Sequence, residues 1–138
     1  MTERIFVDSH VLVYAHDLDG EVKRAIAEHV VRQLWEDQTG VLSAQVLQEF
    51  YEALTAAESP VPRRAARDLM QAYSVWPLST LDAADLLAAS EFEERYRLPF
   101  RDATIVAAAR KANATLLLSE RVQPFRPITG LEVRNPFA

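Results

Sequence analysis

Residues 98–120, LPFRDATIVAAARKANATLLLSE, decide how this chain folds. Pro99 breaks whatever precedes it, and the spacing predicts a helix over Asp102–Ala112. From Ala103 to Ala109 that helix is apolar on nearly every face, the pattern of a helix buried all round. Asn113 suits a left-handed stop. Thr115–Ser119 (TLLLS) then reads as a buried strand, short, apolar and closed by Ser119 and Glu120. A buried helix feeding directly into a buried strand is the unit of a parallel sheet covered on both faces.

The rest of the sequence repeats that alternation. Arg4–Asp8 (RIFVD) predicts a strand and Ser9–Ala15 a short helix or turn. Glu21–Asp37 predicts a long helix, with Val22, Ala25, Ile26, His29, Val30 and Leu34 on its apolar arc and Gly40 beyond its end. Val41–Ser43 predicts a second strand. Ala44–Ala57 predicts a helix stopped before Pro60 and Pro62, and Arg63–Tyr73 another. Val75–Leu78 predicts a strand that Pro77 confines to an edge. Ser79 with Asp82 resembles the start signal of a helix running to about Tyr96. Leu131–Arg134 predicts a last edge strand. No linker, repeat or low-complexity tract divides the 138 residues, so they are expected to form one domain, 1–138.

Composition excludes several classes. Hydrophobic residues make up 49% and charged residues 25%, values of a globular chain and not of a disordered one. The apolar runs are too short for a membrane-spanning helix, and Met1–Arg4 leads into a strand rather than a secretory signal. A cytoplasmic setting and no membrane contact are therefore expected. The absence of cysteine rules out a disulfide scaffold, a thiolate zinc site and a cysteine nucleophile. A net charge of −5 does not suit a protein that holds nucleic acid by counterion release alone. His10, His16 and His29 show no HExxH spacing, and neither a glycine-framed serine nor a phosphate-cradling glycine loop is present. A phospho-acceptor receiver domain would need paired acids near the first strand and a lysine after a late strand, and both are missing.

In a parallel sheet, ligands bind at the carboxyl ends of the strands, where the following helices begin. Asp8 ends the first strand, Ser43 the second and Ser119 that of TLLLS. Asp102 opens the buried helix, and Glu49 lies about a turn and a half into the helix after Ser43. Each has a plainer role: Asp8 and Asp102 as helix caps, Glu49 as a solvated glutamate about 60° from Val46 on the margin of the Val46–Leu47–Phe50–Leu54 arc. Glu52 points away from that arc. If the acids meet instead, a compensating cation is required. All-oxygen ligands suit Mg²⁺ or Mn²⁺ rather than zinc, and such a site beside phosphate oxygens suggests phosphodiester hydrolysis.

Four segments together resemble the PIN-domain family, in particular VapC-like toxin ribonucleases of toxin–antitoxin pairs: Phe6–Asp17 (FVDSHVLVYAHD), Leu42–Leu54 (LSAQVLQEFYEAL), Leu98–Glu120, and Leu131–Phe137 (LEVRNPF). The resemblance runs nearly the whole chain, in order. It implies an α/β fold, a three-layer α/β/α sandwich with a central, mainly parallel sheet. It implies a metal-dependent ribonuclease, the toxin of such a pair, with Mg²⁺ or Mn²⁺ held by Asp8, Glu49 and Asp102 as catalytic residues. Ser43 and Ser119 would line the site. RNA is the implied substrate, a small antitoxin the implied partner, and a homodimer the implied assembly. Two positions depart from the family pattern. His10 stands where Asn is usual, and Arg121 where the last acid is usual, with Glu120 one position early as a candidate substitute ligand. Arg121 so placed either repels the cation or contacts the scissile phosphate. Asp8, Glu49 and Asp102 with Arg121 carry −2 where four acids would carry −4. A rival reading is a binding module of the same fold that holds RNA or antitoxin without cutting.

Overall fold

The computed structural model describes residues 3–16, 20–56 and 61–138. The first strand, β1, is Ile5–Val7, followed by α1 (Ser9–Ala15) and α2 (Glu21–Asp37). Then come β2 (Gly40–Ser43), α3 (Ala44–Leu54), α4 (Arg63–Tyr73) and β3 (Leu78–Ser79). Helices α5 (Ala83–Tyr96) and α6 (Phe100–Lys111) lead to β4 (Leu116–Leu118), a 3-10 turn (Gln123–Phe125) and β5 (Glu132–Arg134). The strands form one five-stranded sheet in the order β3-β2-β1-β4-β5, with every pairing parallel. The expected α/β sandwich is what is found. From β1 the chain steps outward through β2 to β3, then crosses back to β4 and on to β5. With right-handed crossovers, the reversal puts the helices of the two halves on opposite faces. The order also makes β1 and β4 neighbours across the switch point, where a crevice opens beyond the carboxyl ends of the strands.

The core follows from these layers. Phe6, Val7, Val41, Leu42 and Leu117 are fully buried in the central strands, under Val11 and Leu12 of α1 and Val46 and Phe50 of α3. Helix α6 is buried continuously from Asp102 to Ala109, as its apolar circumference requires. Its small alanines let α5 pack close on one side and the sheet on the other.

Several boundaries differ from expectation for physical reasons. α6 begins at Phe100 with Pro99 as its cap residue, because the fixed φ of proline (−56°) suits a helix entry. Asp102 is thus in the first turn and is not the cap. The start of α5 lies three residues later than the Ser79–Asp82 reading, since Asp82 itself is the cap and forms a reciprocal capping box with Asp85. β3 is Leu78–Ser79 rather than Val75–Leu78, because Ser74–Trp76 complete the turn leaving α4. On α2 the buried stripe is Ala27, Val31 and Leu34, while Val22 is 76% exposed and Ala25 and His29 also face outward. Helix α3 ends at Leu54, and the expected helix end at Ala57 and stop at Pro60 lie outside the described residues.

Gly40 starts β2 under an aromatic cluster of Trp35, Tyr73 and Trp76. A Cβ there would lie 2.5 Å from Cζ3 of Trp76, a ring only 6% exposed and braced edge-on by both neighbours. Gly40→Ala is therefore expected to cost about 1–3 kcal/mol through overpacking, read as a lower urea midpoint at unchanged slope.

Candidate functional site

At the end of β1, Asp8 is fully buried. Its backbone N–H extends the ladder to the Leu118 carbonyl (2.9 Å), which places it beside the end of β4. Its side chain caps α1, with Oδ1 accepting from the Ser9 N–H at 2.8 Å. The other oxygen, Oδ2, accepts from the Ser119 hydroxyl at 2.9 Å. Ser119, also fully buried, in turn accepts from the Arg121 N–H at 3.1 Å. Asp8 is thus both the cap and a member of the candidate site, where the sequence offered the two as alternatives.

Helices α3 and α6 bring the other acids. Gln45 and Glu49 lie four residues apart on α3, and Arg101 and Thr104 three apart on α6, so each pair shares a helix face. The Thr104 hydroxyl meets Gln45 Oε1 at 2.8 Å, and Arg101 Nε donates to Glu49 Oε2 at 3.0 Å. These two rungs clamp the helices together and aim Glu49 at the end of β1. Asp102 follows Arg101 and is fully buried.

The centre of the cluster is the Arg101 guanidinium, a residue the sequence reading did not single out. Its Nη2 donates to Asp8 Oδ1 at 2.7 Å and also to Glu49 Oε1. Its Nη1 lies 3.4 Å from both Asp8 Oδ2 and Asp102 Oδ1. Arg121 approaches from the open side, with Nη1 3.0 Å from Asp102 Oδ1. Asp8, Glu49 and Asp102 do meet in space, and two arginines reduce their −3 to −1. Burial would raise the Asp8 pKa, but the hydrogen bond and charge of Arg101, with Ser119 and the Ser9 N–H, hold it below the usual carboxylate range. Partial burial of Glu49 is likewise outweighed by Arg101. For Arg101 itself, desolvation is overcome by Glu49 and Asp8, which raise its pKa and keep it charged.

A divalent cation is the occupant the resemblance implies. The donors are all oxygens, and Asp102 Oδ2 is buried without a hydrogen-bond partner. Both features suit a hard cation. The arrangement does not. Among the described residues no three His, Asp or Glu side chains are grouped so as to hold a metal ion, and the Arg101 guanidinium lies among these acids as their shared partner. With Arg101 seated, the residues do not fit the ion.

The remaining candidates are placed as follows. Ser43 is buried and caps α3, its Oγ accepting from the Val46 N–H at 3.1 Å. Glu120 does not join the acids. Its Oε1 accepts from the Tyr14 hydroxyl at 3.0 Å, and its Oε2 pairs with Lys23 of α2. That Lys23 ammonium lies over the Tyr14 ring, 4.7 Å from its centroid, and Tyr14 packs edge-on against Phe137. Glu120 therefore ties β4 to α1, α2 and the carboxyl-terminal residues. Glu120→Gln is expected to lower stability by less than about 1 kcal/mol, as for a partly exposed pair, and a melting curve checks it. His10 is exposed and lines an open cleft of about 270 Å³ with Ser9, Glu49, Glu52, Arg101 and Arg121.

Comparison with known proteins adds the following. The family model described as PIN domain matches residues 5–121. No curated protein matches in sequence. Among solved structures, a toxin–antitoxin complex from Klebsiella pneumoniae is similar at TM-score 0.71 and 17% identity, covering 97% of this chain and 98% of that one. VapBC2 from Rickettsia felis, bound to a promoter DNA fragment, is similar at 0.68 and 16%, covering 95% and 97%. The Mycobacterium tuberculosis toxin VapC20, described as cleaving the Sarcin-Ricin loop, is similar at 0.62 and 22%, covering 82% and 86%.

Proposed function

The chain belongs to the PIN-domain family, and on that premise we propose that it is a ribonuclease of the toxin–antitoxin kind, hydrolysing RNA phosphodiester bonds at the Asp8–Glu49–Asp102 edge. One observation carries the reading: three acids from β1, α3 and α6 converge within reach of a single guanidinium. The similar structures described as toxin–antitoxin complexes support a small protein partner for this chain too. A homodimer and a cytoplasmic setting belong to the same reading. Among the described residues no helix is long and apolar enough to cross a membrane.

The chain's own residues suggest their parts. Asp8 is locked in place by Ser9, Ser119 and Arg101, so its charge is preorganised at the strand end. Glu49 reaches the open cleft, and its lowered pKa makes it a weak base, better suited to orienting a water than to deprotonating it. Arg121, with a side chain 44% exposed, is the cation available to a phosphate. In this reading water attacks phosphorus in place of the ribose 2′-hydroxyl and the P–O3′ bond breaks, the departing 3′-oxygen taking up a proton, so the products carry a 5′-phosphate and a 3′-hydroxyl. Mg²⁺ or Mn²⁺ remains the cofactor class of the proposal, but no step is assigned to it with Arg101 seated.

A second reading has its own support. Two arginines neutralise most of the acidic charge, as suits a module that binds RNA or an antitoxin without cutting. End-labelled RNA incubated with the purified chain and Mn²⁺ separates the two. The nuclease reading expects cleavage that Glu49→Gln lowers by about tenfold or more. Cleavage that resists both EDTA and Glu49→Gln refutes this site. RNA retained but left intact by the unmutated chain establishes the second reading.

A further inference from the structure

We propose that the Arg101 guanidinium is a displaceable internal counter-cation: it and a divalent metal ion are alternative occupants of the Asp8–Glu49–Asp102 cluster, and the ion enters only when Arg101 turns outward. The inference rests on reading those acids as the working site, and it concerns what controls access to them.

Arg101 is held by the acids and by little else. It lies in the first turn of α6, where the exposed N–H groups of the helix disfavour a positive side chain. Its side-chain partners are Asp8, Glu49 and Asp102, with the Ser9 hydroxyl at 3.4 Å. The seating is also incomplete, since Asp102 Oδ2 stays buried with no donor. A planar guanidinium satisfies acids arrayed around its rim, whereas a spherical ion collects oxygens from several directions at once.

Arg101 has somewhere to go. Its side chain is 26% exposed and lines the same cleft as Glu52. Glu52 lies one helical turn beyond Glu49 on α3 and is exposed. An outward turn of the Arg101 side chain would take the guanidinium into this cleft, where Glu52 is the next acid after Glu49. Charge fits the exchange. Seated, Arg101 and Arg121 leave the cluster at −1. With Arg101 out and a 2+ ion in, three acids, Arg121 and the ion sum to zero.

The test is Mn²⁺ titration of the full chain, followed by the loss of the free-ion paramagnetic signal, with melting curves in Mn²⁺ and in EDTA. Arg101→Gln is expected to bind Mn²⁺ on the order of tenfold or more tightly than the unmutated chain and to gain more thermal stability from it. Glu52→Gln, which removes the outward partner, is expected to weaken Mn²⁺ binding in the Arg101 background and to change nothing in the Arg101→Gln background. If Arg101→Gln folds only when Mn²⁺ is present, the ion has replaced the guanidinium and the proposal stands. If it folds under neither condition, Arg101→Lys takes its place, with tighter binding than the unmutated chain expected because one ammonium cannot span three acids. Equal affinity in the Arg101 and substituted chains, or no binding in any of them, overturns the exchange. RNA cleavage by the unmutated chain is scored separately, so loss of the exchange and loss of the nuclease reading are distinguishable.

Discussion

Asp8→Asn is expected to reduce RNA cleavage by about a hundredfold or more while the chain still folds. The two halves of that expectation have different causes. Asn is as good a helix cap as Asp, so its Oδ1 keeps the Ser9 N–H bond and α1 still starts correctly. The side chain is isosteric, and the rotatable Ser119 hydroxyl can accept from the new amide where it now donates to Oδ2. What disappears is one of three converging charges, fully buried and held by Ser9, Ser119 and Arg101. Arg101 then keeps Glu49 and Asp102 as partners, so the loss in stability is expected to stay near 1–3 kcal/mol. Initial rates on labelled RNA, with far-UV dichroism and a melting curve on the same preparation, check both halves. Cleavage within tenfold of the unmutated chain would show that the chemistry lies elsewhere.

The location of this site was legible in the sequence because it depends on local rules. Asp8 follows a run of β-formers, Ser43 and Ser119 close similar runs, and parallel strands place their ends on one rim. Asp102 was legible for a related reason: a helix apolar on every side carries a charge at its start only at a packed edge. Glu120 was not, because its partner Lys23 lies 97 residues away on α2, and no spacing rule connects them. The α2 arc was misplaced by about one position because bulky Val22 anchored the count, whereas Val22 faces outward and the stripe that packs inward is Ala27, Val31 and Leu34.

Arg101 left a signal that went unread. A basic residue in the first turn of an otherwise apolar helix opposes the helix dipole, and Phe100-Arg101-Asp102 places it against an acid that must be buried. Such a residue is tolerated where acids from elsewhere compensate it. The charge conflict within α6 was therefore evidence that other carboxylates converge there. It also changes the count: reading only Arg121 gives −2 for the cluster, and including Arg101 gives −1.

Arg101→Gln is expected to invert the pH dependence of stability when metal is kept out with EDTA. In the unmutated chain Asp8 and Glu49 have pKa values below their unfolded ones. The unfolded state therefore binds more protons, and the stabilisation present above the ordinary carboxylate range, near pH 4, is lost as pH falls through the lowered values. Between pH 7 and pH 5 the curve is expected to be flat. Without the guanidinium, burial is no longer outweighed. Asp8 and Asp102, both fully buried, lose the guanidinium they share, and Arg121, paired with Asp102, is the remaining cation. Breaking a buried pair typically costs 3–5 kcal/mol, and Arg101's 26% exposure places the expected loss at pH 7 near the low end, about 3 kcal/mol. Burial of Asp8 is then opposed only by Ser119 and the Ser9 N–H, so its pKa is expected to rise above the unfolded value, the native state binds more protons, and stability rises as pH falls from 7 toward 5. Urea midpoints at pH 7 and pH 5 read the sign directly. A variant whose midpoint runs parallel to that of the unmutated chain would mean that Arg101 does not carry the charge balance of the buried acids, and the exchange with a metal ion would lose its driving force as well.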